Sequence, residues 1–321
     1  MTAATGARGD IQLAALDLGE KLGSGGQGDV LRVRNRPGEV LKRYFTDTAD
    51  GVSMRYLVEF PDTLPDSERE ALLRQTAWPL ARVVKHGKVV GFLMREVPAS
   101  FVGQTRAGTQ LRELQYLLYP PKPLWGDIVP LDIHGRIEVA AAFAGLVRIL
   151  QERQMVIGDI SMRNLLWSPG VPARICLIDC DSPTRVGMPP VLPTTDTPDW
   201  NDPRQQGGPS PATDLYKLAL LVGRTLSGNA DVRPGQPLKL PADTPEPIVT
   251  AVRACFEEAG QPQGPRPEAA RWVRALSGRG EILVGPLPAK RVLPPPLPMV
   301  DLDGRGGPRG SIPLPPADKK P

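Results

Sequence analysis

The spacing of apolar residues changes character once along these 321 residues, and that change limits the folds open to the chain. In the first third the apolar runs are short and alternate with polar residues, the pattern of strands. Leu16 to Leu22, Asp29 to Arg34 and Glu39 to Tyr44 predict strands, and Val83 to His86 with Lys88 to Arg95 predict a hairpin turning at Gly87. Two helices are expected between them, Ser53 to Phe60 and Ser67 to Thr76, the second capped by Asp66. Later the apolar residues recur at helical spacing in Gly135 to Gln154, Thr213 to Leu226, Pro247 to Ala259 and Pro267 to Leu276. Strands first and helices later predict an α+β chain of two unlike lobes, a small β-rich one and a larger helical one.

The 38 prolines and 33 glycines are spread unevenly. From Pro286 onward, proline dominates and apolar content is too low to pack, which predicts a disordered or polyproline-II tail. Its PPPLP stretch has the composition that docks in an aromatic groove of a partner. The expected division is a flexible N-terminus (1–11), a folded region (12–278) whose lobes meet near residues 97 and 98, and the tail (279–321).

Several function classes are disfavoured. With 39 basic and 35 acidic residues the net charge is +4, and no basic stripe with interleaved aromatics points to nucleic acid. Cys176, Cys180 and Cys255 show no CxxC spacing, so a disulfide framework is not expected and a reducing compartment suits the chain. Met1 to Asp10 lacks the apolar core of a signal peptide, and the best apolar run, Val139 to Leu150, is short and broken by Arg148. A cytoplasmic protein that does not enter a membrane is therefore expected. His86 and His134 have no partner at ligand spacing, which argues against zinc, and Trp78 and Trp125 read as packing residues. Oligomeric state is not legible.

Four short segments carry chemistry. Gly23-Ser24-Gly25-Gly26-Gln27-Gly28-Asp29-Val30 is a G-x-G-x-x-G-x-V run that lets backbone approach phosphates without side chains between. A strand rather than a helix follows it, which argues against a dinucleotide fold. Lys42 ends the apolar strand Glu39-Val40-Leu41-Lys42, where its ammonium can reach phosphates as a point charge. Val156-Ile157-Gly158-Asp159-Ile160-Ser161-Met162-Arg163-Asn164 places a carboxylate and an amide in one loop between a helix and the strand Leu165 to Trp167. Finally, the strand Ile175 to Ile178 delivers Asp179 at its end, followed by Cys180 and Asp181.

In this order and spacing the segments resemble protein kinases, specifically bacterial kinases of the eukaryotic-like Ser/Thr type, over roughly residues 12–278. The resemblance implies a bilobal protein kinase-like fold using ATP and Mg2+ to phosphorylate protein hydroxyls. On this basis Gly23, Ser24, Gly25, Gly26, Gln27, Gly28 and Val30 cover the nucleotide, Lys42 positions its phosphates, and Glu59 is the helix acid that pairs with Lys42, with Glu68 and Glu70 as alternatives. Met94 to Val97 is the hinge, so Arg95 and Val97 border the base. Asp159 orients the acceptor hydroxyl, and Asn164 and Asp179 hold magnesium. Thr197 to Pro203 resembles the end of an activation segment, Asp214 the anchor of the catalytic loop, and Arg266 the arginine before the last helix.

The chain departs from that family at Ile157 and Gly158, where His and Arg are usual, at Ser161, where a lysine is usual, and at Cys180-Asp181. The missing arginine implies activity that does not rely on phosphorylation of Thr194, Thr195 or Thr197. The G-D-x-x-x-x-N form also resembles small-molecule kinases, and a nucleotide-binding pseudokinase scaffold is the third alternative.

Overall fold

Period-two alternation builds one six-stranded sheet from the first hundred residues. Strands β1 (Ile11–Gln12), β2 (Leu18–Ser24), β3 (Gly28–Val33) and β4 (Glu39–Tyr44) precede helices α1 (Gly51–Glu59) and α2 (Asp66–Gln75). Strands β5 (Ala81–Lys85) and β6 (Lys88–Arg95) then complete the sheet in the order β1-β5-β6-β4-β3-β2. Pairing is antiparallel except at β1, which runs parallel to β5 with Ile11 opposite Val83. The β5–β6 hairpin turns where expected, with His86 and Gly87 both at positive φ (51° and 77°), the conformation of a tight turn that matches strand twist. The computed structural model describes residues 9–193 and 197–278. Residues 1–8, residues 194–196 with Thr194 and Thr195, and the 279–321 tail with its PPPLP stretch lie outside the described residues.

Two expectations about chain boundaries change. The sheet begins at Ile11, ahead of the expected boundary at residue 12, because Arg82 donates to both carboxylate oxygens of Asp10 (2.8 and 2.7 Å) and ties the segment down. Asp66 is the first residue of α2 and not its cap; Pro65 occupies that position without a side-chain bond. The Asp66 carboxylate instead accepts from Arg69 (2.7 Å), where its charge faces the positive helix end. By contrast, α1 is capped by Asp50, which accepts from the Ser53 amide at 2.6 Å.

The rest of the chain is mainly helical. In order it forms β7 (Val102–Thr105), β8 (Gly108–Leu111), α3 (Gln115–Leu118), α4 (Ile133–Gln151), β9 (Met155–Val156), β10 (Leu165–Ser168), β11 (Arg174–Leu177), β12 (Thr184–Arg185), α5 (Pro211–Ser227), α6 (Glu246–Ala259) and α7 (Ala269–Leu276). Strands β10 and β11 pair antiparallel, Leu165 opposite Leu177, and β9 pairs with β12. The small β7–β8 hairpin has no counterpart in the apolar pattern, since Val102 and Leu111 at its two ends are the only apolar residues of its strands and the rest are polar or glycine. Helix α5 opens with a reciprocal Ser210–Thr213 capping box and closes on Gly228 in the left-handed region. Among the described residues no helix is long and apolar enough to cross a membrane.

The chain is thus mixed α/β, a β-rich N-terminal sheet followed by helices. One large buried cluster runs from the sheet residues Val40, Tyr44 and Phe92 through Met54 and Leu57 of α1 into Phe143 of α4, Leu218 of α5, Phe256 of α6 and Trp272 of α7. A smaller cluster of Leu16, Val33, Leu41, Val83 and Leu93 covers the other sheet face. Alternation along β4 therefore sends Val40, Lys42 and Tyr44 to one side and Leu41 to the other. That alternation is why a lysine comes to be buried.

Candidate functional site

Between the glycine turn and the loops after β9 and β11 lies a cavity of about 300 Å3. Gly25, Gly26, Gln27, Gly28 and Val30 line it from the sheet, and Lys42, Asp159, Asp179, Asp181, Ser182 and Pro193 close it. The β2–β3 turn is closed by the Gly25 amide donating to the Gly28 carbonyl (2.9 Å). At Gly26 an added Cβ meets nothing within 4 Å, while at Gly28 it would lie 2.3 Å from the Arg43 carbonyl oxygen. Gly26 leaves open space, whereas Gly28 is demanded by the close approach of β3 and β4. Ser24 donates to Asp29 at 2.6 Å and holds that carboxyl below its ordinary value. Gln27 Nε2 donates to the Pro193 carbonyl at 3.2 Å, joining the turn to the far wall.

Lys42 is buried, and its Nζ lies 2.7 Å from Asp181 Oδ1 and 3.5 Å from Asp179 Oδ1. Burial opposes its charge, but the carboxylates of Asp181 and then Asp179 outweigh burial, and its pKa stands above its ordinary value. The expected partner Glu59 is exposed at the end of α1. Glu68 pairs with Arg153 (2.8 Å) and Glu70 with Arg74 (3.2 Å). The helix-acid expectation is therefore corrected: the counterion of Lys42 comes from the loop after β11, because the buried face of α1 presents Ser53, Met54, Leu57 and Val58 and no acid.

Asp179 sits at φ 57°, a strained conformation for a residue with a side chain and one concentrated at functional sites. Burial, with the like charges of Asp181 and Asp159, holds its carboxyl above its ordinary value against the pull of Lys42. Both oxygens of Asp159 are engaged: Asn164 Nδ2 donates to Oδ2 (2.7 Å) and Thr197 Oγ1 to Oδ1 (2.8 Å). Asn164 Nδ2 also donates to the Asp159 carbonyl (3.0 Å), and the Ile178 amide donates to the Asn164 carbonyl (2.8 Å). These bonds lock the Asp159 loop to the strand that delivers Asp179.

The same loop is strapped to α5 from beneath. The buried Asp214 carboxylate accepts from the Ile157 amide (2.6 Å) and the Gly158 amide (3.0 Å), and Lys217 Nζ donates to the Gly158 carbonyl (2.7 Å). Burial pushes Asp214 up to about 6, although the two amides pull the other way. Gly158 needs φ 78° for this path, which explains a glycine at that position. Asp202 and Arg266 form a second buried ion pair that ties the end of the 197–203 segment to the chain before α7.

Not every expected residue reaches the cavity. Arg95 is exposed and Val97 half-buried, and both line a separate cavity of about 1020 Å3 on the α2 side of β6. Val97 also packs against the buried cluster of Phe101, Leu166 and Cys176. The residues that spacing did not reveal are Asp181, Ser182 and Lys217. Ser182 Oγ donates to the Ile157 and Asp179 carbonyls (3.1 and 3.2 Å) and so joins the two acidic loops. The D-C-D run was the only sequence signal for Asp181. Neither family models nor curated protein sequences match this chain.

Proposed function

We propose that this chain is a bilobal protein kinase-like phosphotransferase that moves the γ-phosphoryl group of ATP, with Mg2+, to serine or threonine hydroxyls of proteins. The observation that carries this reading is convergence: the glycine turn, Lys42, Asp159 and Asp179 come from four separate segments and line one cavity. The donor chemistry fits the cofactor. Asn164 spends its amide nitrogen on Asp159 and keeps its side-chain oxygen as an acceptor, and that oxygen and the Asp179 carboxylate are hard donors of the kind that suits magnesium. Among the described residues no group of three or more His, Cys, Asp or Glu is set to hold a metal ion. Two protein ligands agree with a cation that takes much of its shell from phosphates and water.

In this reading Asn164 and Asp179 would hold the ion, which would supply charge neutralisation at the phosphates. Lys42 adds a fixed positive charge there, and the open turn at Gly26 lets backbone amides approach. Asp159, held at both oxygens, orients the acceptor hydroxyl and takes its proton. The Thr197 bond to Asp159 brings the 197–203 segment beside the acceptor position, which favours a peptide over a small molecule.

The test is transfer of labelled γ-phosphate from ATP with Mg2+ to the chain itself and to a generic protein substrate. Wild type should label, and Asp159→Asn and Asp179→Asn should each lose about a hundredfold or more. Magnesium-dependent ATP binding with transfer only to small hydroxyl compounds would replace the protein acceptor. Absence of both binding and transfer would leave a scaffold.

A further inference from the structure

Lys42 and Asp181 are each almost completely buried, with side chains 5% and 2% exposed. Two opposite charges taken out of water together are tolerable, but either one alone is costly. No acid of the two helices takes part: Glu59 is exposed, and Glu68 and Glu70 have arginine partners. We propose that Asp181 is the positioning residue of Lys42, so that one loop sets both the phosphate-binding ammonium and the metal-binding Asp179, whatever the position of α1. This inference rests on the phosphoryl-transfer reading above. Its consequence is regulatory. Movement of α1 does not make or break the lysine's ion pair, and control of this site must act on the loop between β11 and β12.

The neighbourhood of the ammonium is compact. Asp181 and Asp179 touch it, Asp159 lines the same cavity, and Tyr44 stands on the same face of β4. Tyr44 is buried, and burial together with the Asp181 charge raises its phenol well above its ordinary value. Removing the Asp181 charge therefore leaves Asp179 as the one directly paired carboxylate, at the longer distance of 3.5 Å.

The experiment uses the full chain and two readouts. The first is acetylation of Lys42 by acetic anhydride as a function of pH, followed by mass spectrometry, which reports the ammonium directly. Asp181→Asn should move the labelling midpoint down by about one pH unit or more, and Asp181→Glu should restore part of it. Glu59→Gln should leave it in place. The second readout is transfer, where Asp181→Asn should raise KM for Mg-ATP about tenfold and Asp181→Glu should recover part of that loss. An unmoved midpoint in Asp181→Asn, or a midpoint moved as far by Glu59→Gln, overturns the proposal whatever the transfer assay gives. A wild type that transfers nothing while the midpoint still moves removes the phosphoryl-transfer reading and leaves the pairing supported. If Asp181→Asn folds poorly, thermal melts of Lys42→Met, Asp181→Asn and the double variant decide. Paired charges predict a double variant at least as stable as the weaker single variant, and additive losses count against pairing.

Discussion

Thr197 and Asn164 each hold one oxygen of the Asp159 carboxylate, at 2.8 and 2.7 Å. A hydrogen bond to a charged group is worth roughly 1.5–3 kcal/mol, or about ten- to a hundredfold in rate if it acts at the transition state. Thr197→Ala should accordingly slow transfer by about tenfold or more, and Thr197→Ser, which keeps the hydroxyl, should recover most of it. Equal rates for the serine and alanine variants would show that the hydroxyl does not set Asp159. Asp214 gives a second residue-level prediction. Its carboxyl stands at about 6 against an ordinary 3.8, so between those values the folded chain binds the proton more tightly than the unfolded chain. The contribution of this group to stability therefore grows as pH falls from about 6 to about 4 and is constant below. Protonation weakens its grip on the Ile157 and Gly158 amides over the same range. Transfer should thus fall as pH drops through about 6 without loss of melting temperature from this group, and Asp214→Asn should lack that inflection. Asp179 is also raised, so the comparison between wild type and variant isolates Asp214.

Helices α5 and α6 approach closely at Gly223, where an added Cβ would lie 2.2 Å from the Phe256 ring. Phe256 is fully buried, so the ring has nowhere to move without displacing its neighbours. Gly223→Ala should cost about 1–3 kcal/mol, read as a lower urea midpoint with an unchanged slope. An unchanged midpoint would mean that the α5–α6 contact is looser than the packing described. The element matters for the site because α5 carries Asp214 and Lys217 on the turns just after its capping box. Ser210→Ala should weaken that start by about 1 kcal/mol, checked by the same titration.

Across the whole molecule, one buried cluster is shared by sheet residues such as Phe92 and helix residues such as Phe143 and Trp272. Sheet and helices that share a core should unfold together. Tryptophan fluorescence, weighted to Trp78, Trp167, Trp200 and Trp272, and far-ultraviolet circular dichroism should give coincident melting curves. Two separated transitions would show that the sheet folds independently of the helices.

Local patterning was enough to determine much of the protein. Strands β4 and β6 begin and end where alternation placed them, and the Gly87 turn follows from residues that tolerate positive φ. Lys42, Asp159, Asn164 and Asp179 are legible in the sequence because their spacing relative to strands and helices is a local property. What spacing could not decide was which distant charge meets Lys42. Glu59, with Glu68 and Glu70 as alternatives, is the reading the sequence offers, and the choice depends on which face of α1 turns inward. That face is chosen by burying Met54, Leu57 and Val58, a tertiary event that leaves Glu59 in water. Asp181, 139 positions from Lys42 in sequence, became its partner because the Asp159 loop, strapped to α5 and bonded to the Asp179 strand, brings the second acidic loop against β4. Sequence periodicity determined the elements and the chemical groups, while burial of the shared core decided which charges face each other in the cavity.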